Sequence, residues 1–159
     1  MYLFTDCSVS SKSGLGVCAY LSVQDLGTPA KSFSEGIRFN TFEGVTSTEL
    51  ELRTLLWAIE ECRGTARKAT IFTDSQNIVG LPKRRDRLEK SNFQNGSGDR
   101  LKLADLYEEF FQRADEYAFD VYKIRGHTRK SERSDSERLF SFLDRSVRRE
   151  LRMRLGGLK

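Results

Sequence analysis

Two acidic residues stand at the same position in two predicted strands. The segments "YLFTD" and "ATIFTD" each finish on a Thr-Asp pair, at Asp6 and Asp74. If the two strands are parallel neighbours, their carboxyl ends lie at one edge of the sheet, and the two carboxylates meet there. Like charges at close range repel, so the pair requires a proton or a cation between them, and oxygen ligands suit Mg²⁺ or Mn²⁺. The pattern predicts a metal site, with helix capping by Asp74 or Ser75 as the simpler alternative.

A third acid is available on the first predicted helix. Threonine and serine at residues 46–48 can cap this helix, and Gly64 is a stop signal. Glu49 and Glu51 flank its apolar stripe on opposite sides, each about 80° from the centre of the stripe. Periodicity therefore leaves open which of the two glutamates faces the sheet. The stripe consists of Leu52, Leu55, Leu56 and Ile59.

The apolar pattern predicts the elements that position these acids. Three strands with short connections indicate an antiparallel meander, and the full order β-β-β-α-β-α-α-β-α indicates a mixed sheet flanked by helices. We expect one domain over residues 1–159. Pro82 is expected to end the second helix, so that residues 82–100 form a basic loop. The other segments are strands at 2–8, 17–23, 31–40, 68–74 and 117–126, and helices at 75–81, 101–116 and 138–155.

Composition restricts the class of protein only broadly. The 159 residues are 38% hydrophobic, which is enough for one core without disulfide bonds. The 27 basic and 23 acidic residues give a charge of +4, a mild bias toward anionic partners. Three widely spaced cysteines in apolar runs indicate reduced thiols and a cytoplasmic location. No apolar run is long enough for a membrane span, and Asp6 interrupts the place where a signal peptide would have its apolar core.

In this order the segments resemble a type 1 ribonuclease H. The motifs that carry the resemblance are "FTDCS", "TSTELELRTLLWAIE", "IFTDSQNIVG" and "KIRGH", and together they extend over nearly the whole chain. The resemblance implies an α/β, ribonuclease H-like fold with a five-stranded mixed sheet, three antiparallel strands followed by two parallel ones, flanked by helices. It also implies an endonuclease that hydrolyses the RNA strand of RNA-DNA hybrids.

The resemblance also assigns the remaining acids. In the family a Thr/Asn-rich cap precedes the helix acid and an Ala-aliphatic-Glu follows it, at offsets that fit Glu51 and not Glu49. The fourth carboxylate lies beyond the strand-ending Gly-His, where Asp135 and Asp144 are both available. Asp144 is the preferred candidate because it shares a face with apolar residues, with an i,i+4 salt bridge to Arg148 as the simpler alternative. Asp135 is expected to cap the last helix.

By this resemblance the reaction is two-metal hydrolysis of a phosphodiester, with two Mg²⁺ ions or Mn²⁺ in their place. His127, the only histidine, matches the mobile family histidine that assists proton transfer or product departure. The polar groups around Cys7, Ser8 and Glu51 are candidates for contacts with RNA 2′-hydroxyls. Most family members have Gly where Cys7 stands, so its Cβ can alter substrate preference. The implied metal ligands are Asp6, Glu51, Asp74 and Asp144.

Basic residues supply the expected nucleic-acid partner. Those that follow Pro82 correspond to a basic handle of some family members, and their target would be phosphate, without sequence reading. A solvated charged face is the alternative for any one of them. No protein partner is implied. Two other functions stay open, a nuclease of the same superfamily with another substrate and a binding module without catalysis. The residues of the predicted handle are Lys83, Arg84, Arg85 and Arg87.

Overall fold

The computed structural model describes residues 1–27, 33–34, 36–64, 68–124, 131 and 133–157. A five-stranded sheet runs through these residues in the order β3-β2-β1-β4-β5, and four helices pack on it. The strands are β1 (Tyr2–Val9), β2 (Leu15–Val23), β3 (Arg38–Glu43), β4 (Lys68–Thr73) and β5 (Ala118–Lys123). The helices are α1 (Ser47–Glu61), α2 (Gln76–Lys90), α3 (Ala104–Glu116) and α4 (Asp135–Gly156).

The pairing of the strands confirms the predicted mixed sheet. β1 and β2 are antiparallel, as are β2 and β3, which gives the expected meander. β4 lies parallel to β1, with Phe4 opposite Phe72, and β5 lies parallel to β4. β1 does not end at Asp6 as expected but continues to Val9, beside β2. β4 ends at Thr73, so its pairing with β1 stops just before Asp6, and Asp6 and Asp74 lie together where the shorter strand ends.

Successive residues of the central strand supply the two cores on opposite faces of the sheet. Leu3 belongs to a cluster with apolar residues of α1, α2 and α3, whereas Phe4 belongs to a cluster with residues of α4. This alternation is the period of two that a strand buried on both faces requires. The sheet therefore separates a three-helix layer from α4, and a site at its edge can receive side chains from both layers.

The layer of α1 lies unusually close to the sheet at Gly16 of β2. A Cβ atom added at Gly16 would lie 2.6 Å from Leu50 Cδ2 and 3.4 Å from the backbone oxygen of Phe42. The first distance is below any normal contact between carbon atoms, so the absence of a side chain at Gly16 allows this approach. The contact is with a terminal methyl group of Leu50, and Leu50 immediately precedes Glu51 on α1.

The second helix is longer than the sequence predicts. Pro82 was expected to end it, but α2 continues through Pro82 to Lys90. A proline inside a helix removes one backbone hydrogen bond, and apolar burial on both sides of it offsets that loss. Leu81 and Leu88 both lie in the core of the three-helix layer. The basic residues after Pro82 are consequently helical, and do not form the expected loop.

The starts of β3 and α4 also differ from the predicted ones. β3 begins at Arg38 and not at residue 31, although residues 31, 32 and 35 lie outside the described part. α4 begins earlier than expected, at Asp135, because Ser134 caps it: its side chain accepts from the N–H of Glu137, whose carboxylate accepts from the N–H of Ser134. This capping box replaces the expected cap by Asp135. Within the described residues, we find no helix whose length and apolar character would let it cross a membrane.

Candidate active site

The junction between β4 and α2 assigns separate roles to Asp74 and Ser75. The hydroxyl of Ser75 accepts from the N–H of Ile78 at 3.4 Å and so caps α2. The N–H of Ser75 donates to the hydroxyl of Thr73 at 3.2 Å, which fixes the turn at the strand end. Ser75 is thus the residue that caps α2, and Asp74 lines the cavity at the edge of the sheet.

Ser75 also distinguishes the two glutamates of α1. Its hydroxyl donates to Glu51 Oε2 at 2.5 Å, across a separation of 24 residues in the chain. Glu49 lies elsewhere, because its Oε1 accepts from Arg53 Nε at 3.0 Å on the helix surface. Only Glu51 of the two lines the cavity that Asp6 and Asp74 border. The remaining residues of the cavity wall are Thr5, Cys7, Thr54 and Thr73.

The last helix brings Asp144 to this cluster and leaves Asp135 away from it. The charge of Asp144 acts on both Asp6 and Asp74, whereas Asp135 is 52% exposed and pairs with Arg138 at 3.0 Å. Asp144 also accepts from Arg148 Nε at 2.7 Å. The salt bridge, the simpler alternative, is therefore present, and the role of Asp144 as a metal ligand stays a prediction.

Burial and mutual repulsion raise the proton affinity of three of these acids. Burial, followed by the charges of Asp74 and Asp144, raises the pKa of Asp6 to about 8. The pKa of Asp74 is raised by burial and by Asp144, against the opposing effects of Arg148 and of Lys123. The site thus favours a positive charge, either a proton or a cation, among its carboxylates.

The third acid is subject to the same effects. The pKa of Glu51 is raised chiefly by burial and further by the charge of Asp74, while its hydrogen bond from Ser75 opposes the rise. That hydrogen bond stabilises the ionised form of Glu51. Glu51 is therefore oriented toward the cavity by a neighbour that also helps it to remain a carboxylate.

Cys7 and Ser8 follow Asp6 on β1, and of the two Cys7 lines the cavity. Cys7 lies opposite Cys18 on β2, and both are free thiols. Burial and the charges of Asp6 and Glu51 raise the pKa of the Cys7 thiol, so the thiol stays protonated. Ser8 is half-buried opposite Val17. Both residues stay predictions for contacts with RNA.

The basic residues predicted to bind nucleic acid differ in their surroundings. Arg84 donates to the backbone and side-chain oxygens of Asn77, at 2.7 and 2.6 Å. Arg85 forms a two-pronged ion pair with Asp115, at 2.6 and 2.7 Å, and lies over the ring of Phe111.

The other two residues of the predicted handle present their charges to solvent. Lys83 and Arg87 are exposed, and neither forms an ion pair within the described part of the chain. Binding of a phosphate by Lys83 or Arg87 would break no existing contact. His127, the remaining predicted site residue, lies outside the described residues.

Two neighbours of the acids were missed as functional residues by the sequence analysis. Ser75 was considered only as a cap, and its contact with Glu51 joins residues too far apart in the chain for any local pattern to reveal. Lys123, at the end of β5, lowers the pKa of Asp74 and donates to Gln76 Oε1 at 2.6 Å. The ion pair between Arg148 and Asp144, in contrast, is predicted by their i,i+4 spacing on the helix.

The donor chemistry of the cluster fits a hard divalent cation. All candidate ligands are carboxylates, and the pKa values of Asp6, Glu51 and Asp74 are raised. In the described residues, however, no three histidine, cysteine or acidic side chains converge closely enough to hold a metal ion. Two of the carboxylates have other partners: Glu51 accepts from Ser75, and Asp144 accepts from Arg148. The carboxylates suit such a cation by their chemistry and by their common location. To bind it, Asp144 would have to give up its ion pair with Arg148.

The fold and the acidic edge of the sheet define the class, a mixed α/β domain with carboxylates at the strand ends. The family model described as RNase H matches residues 1–139. The chain therefore belongs to the RNase H family. The matched range includes Asp6, Glu51, Asp74 and Asp135, and it ends before Asp144.

Solved structures show the same fold at low sequence identity, whereas no curated protein matches the sequence. One is a foamy viral protease-reverse transcriptase in complex with double-stranded DNA, with a TM-score of 0.59 and 10% identity over 92% of this chain and 93% of that chain. Another is the foamy viral protease-reverse transcriptase in complex with an RNA/DNA hybrid, with a TM-score of 0.62 and 9% identity over 92% of this chain and 19% of that chain.

Proposed function

We propose that this protein is a metal-dependent endonuclease that hydrolyses the RNA strand of RNA-DNA hybrids. The observation that carries the proposal is the cavity between β1 and the carboxyl end of β4, where Asp6, Glu51 and Asp74 lie together and Asp144 acts on two of them. Membership of the RNase H family supports the same reaction.

In this proposal the four carboxylates hold two Mg²⁺ ions, or Mn²⁺ in their place. When bound, the ions supply a water of lowered pKa and stabilise the departing oxygen. Ser75 orients Glu51 toward the cavity. Without a cation, Arg148 balances the negative charge of Asp144, and Lys123 balances part of the negative charge of Asp74. No side chain is needed as a covalent nucleophile. The four ligands are Asp6, Glu51, Asp74 and Asp144.

The choice of substrate rests on several weaker supports. One of the similar structures is a complex with an RNA/DNA hybrid, and that description belongs to the other protein. Backbone and polar groups at Cys7 and Ser8 line the approach to Asp6, where RNA 2′-hydroxyls would be recognised. Lys83 and Arg87 on α2 would contact phosphates. His127 would assist proton transfer or product release, a role that rests on the family resemblance alone.

A cleavage assay tests the proposal. The purified protein is incubated with end-labelled RNA-DNA hybrid, duplex RNA, duplex DNA and a branched junction, in Mg²⁺, Mn²⁺ or EDTA, beside Asp74→Asn. We expect internal cuts confined to the RNA of the hybrid, dependent on metal and absent from the variant. Cutting of the other substrates alone would assign another nuclease activity. Binding of the hybrid without any cutting would assign a binding module.

A further inference from the structure

The side of α4 that faces solvent carries a concentrated positive charge. The helix contains six arginines and no lysine. At about 100° per residue, Arg145, Arg149 and Arg152 lie within an arc of roughly 60°. All three are exposed, on the side of α4 opposite the buried Leu143 and Val147. We call these three residues the arginine face.

The other arginines of α4 have carboxylate partners, and those of the arginine face do not. Ion pairs join Arg138 to Asp135, Arg148 to Asp144 and Arg154 to Glu150. Arg145 donates its Nε–H to the backbone oxygen of Ser141 at 3.1 Å. Within residues 133–157 and the rest of the described chain, no acid pairs with Arg145, Arg149 or Arg152.

This arrangement reduces the stability of the helix that carries it. Arg145 and Arg149 are four residues apart, as are Arg148 and Arg152, and like charges at this spacing destabilise a helix. A helix selected only for solubility would place acids at these positions, as it does four residues before Arg148 and Arg154. Uncompensated arginines in a row are therefore better explained by an anionic partner.

The arginine face begins beside Asp144 in the sequence of α4 and continues along the outer side of the helix. Arg145 directly follows Asp144, and the three residues extend about 10 Å along the helix axis at 1.5 Å per residue. Each strand of a duplex carries one phosphate per roughly 3.4 Å of its axis, so this length corresponds to about three phosphates. The planar guanidinium group also matches phosphate oxygens better than an ammonium group does.

We propose that the arginine face binds the sugar-phosphate backbone of the substrate duplex beside the cleavage site. The proposal rests on the function proposed above and extends the substrate contacts to α4, away from the predicted basic handle on α2. Contacts of this kind provide affinity and orientation without reading sequence. They also make binding depend on salt, because each phosphate contact releases counterions.

The test compares Arg149→Gln/Arg152→Gln with Arg63→Gln/Lys68→Gln. Glutamine keeps the helix propensity of arginine, and both variants lose two charges. Arg63 and Lys68 lie near the amino end of β4, at the end of the sheet opposite Asp74. Binding of an RNA-DNA hybrid is measured by fluorescence anisotropy in EDTA at several KCl concentrations, and thermal unfolding verifies that each variant is folded.

We expect the α4 variant to reduce the slope of log K against log salt by about 1.8, at roughly 0.9 per contact. Between about 50 and 200 mM KCl the wild type would then lose roughly tenfold more affinity than this variant. In Mg²⁺ the variant should raise KM and leave kcat unchanged. A wild-type salt slope in the α4 variant, or an equal change in the control, would overturn the proposal.

The same measurements separate this proposal from the proposed function. If the wild type binds the hybrid through the arginine face but never cuts it, the nuclease function fails while the phosphate-binding surface stands. If the wild type cuts the hybrid and the α4 variant binds with an unchanged slope, the surface fails while the nuclease function stands.

Discussion

Asp6 is the residue whose environment departs furthest from that of an ordinary carboxyl group. Burial at the edge of the sheet removes water from it, and the charges of Asp74 and Asp144 act in the same direction. These effects raise the pKa of Asp6. The backbone N–H of Cys7 and the guanidinium group of Arg148 lower it. The balance favours a proton on Asp6 near neutral pH, in the protein without metal.

We expect this proton to make the stability of the metal-free protein depend on pH. The pKa of Asp6 is about 8 in the folded protein, against the ordinary aspartate value of 3.8 that we take for the unfolded chain. Between these values the folded protein holds a proton that the unfolded chain has lost, so the free energy of unfolding decreases as pH rises through this window. The thermal midpoint in EDTA should fall accordingly, and Asp6→Asn should remove most of the fall. Asp135→Asn, a surface control, should retain it; equal slopes in both variants would contradict the prediction.

The identity of the fourth acid leads to a second prediction at the same scale. Asp144→Asn should reduce hybrid cleavage by more than about 100-fold, because loss of a partner that merely orients a metal ligand already costs 10- to 100-fold. Asp135→Asn should leave cleavage close to wild type, since Asp135 pairs only with Arg138 on the surface. Cleavage rates of the two variants, measured at a temperature where both are folded, decide which aspartate is the fourth acid. A larger loss for Asp135→Asn would assign that role to Asp135.

At the scale of elements, the start of α2 links helix stability to the site. Ser75 both caps the helix and donates to Glu51. Ser75→Ala should lower the free energy of unfolding by about 1 kcal/mol, the usual cost of a lost cap, and should weaken Mn²⁺ binding. Ser134→Ala removes the cap of α4 and should lower stability by a similar amount while Mn²⁺ binding, measured by calorimetry, stays unchanged. Unchanged Mn²⁺ affinity in Ser75→Ala would show that the contact with Glu51 has no role in metal binding.

Pro82 gives a prediction about the same helix. Because α2 continues through it, the helix lacks one backbone hydrogen bond and pays a steric cost. Pro82→Ala should raise the free energy of unfolding by up to about 3 kcal/mol in urea denaturation. Lys83→Ala, at the next position, should change it little. A decrease in stability for Pro82→Ala would mean that the proline relieves a constraint in the surrounding helices.

The elements could be predicted from the sequence where the signal is local. The strand ending at Asp74 follows from the chain itself, whereas β1 continues past Asp6 to Val9 because it still pairs with β2 there. Parallel pairing of β1 and β4 then brings Asp6 and Asp74 together. The choice of Glu51 came from family offsets, because the helical period alone treats Glu49 and Glu51 alike. The extent of α2 was not predictable, since the burial of Leu88 that sustains it depends on residues of α1 and α3 packed over the sheet.

At the scale of the whole molecule, the site draws on all layers of the fold. Glu51 comes from the helical layer on one face, Asp144 from α4 on the other, and Asp6 and Asp74 from the sheet edge between them. No element positions more than two of the four acids. The cluster therefore forms only when both helical layers are docked on the sheet.

This dependence on docking extends to Gly16 on β2, where α1 packs against the sheet. A methyl group there would meet the side chain of Leu50, which must then move within a packed core. Gly16→Ala should cost about 1–3 kcal/mol of stability through overpacking against Leu50, and should slow cleavage if the amino-terminal part of α1, which carries Glu51, is displaced. Gly96→Ala, where an added Cβ meets nothing within 4 Å, should do neither. Unaltered cleavage in Gly16→Ala would show that α1 can shift without displacing Glu51. Otherwise a saturation-mutagenesis scan scored by nuclease activity would find position 16 nearly as intolerant as position 74, although its residue has no side chain with which to react.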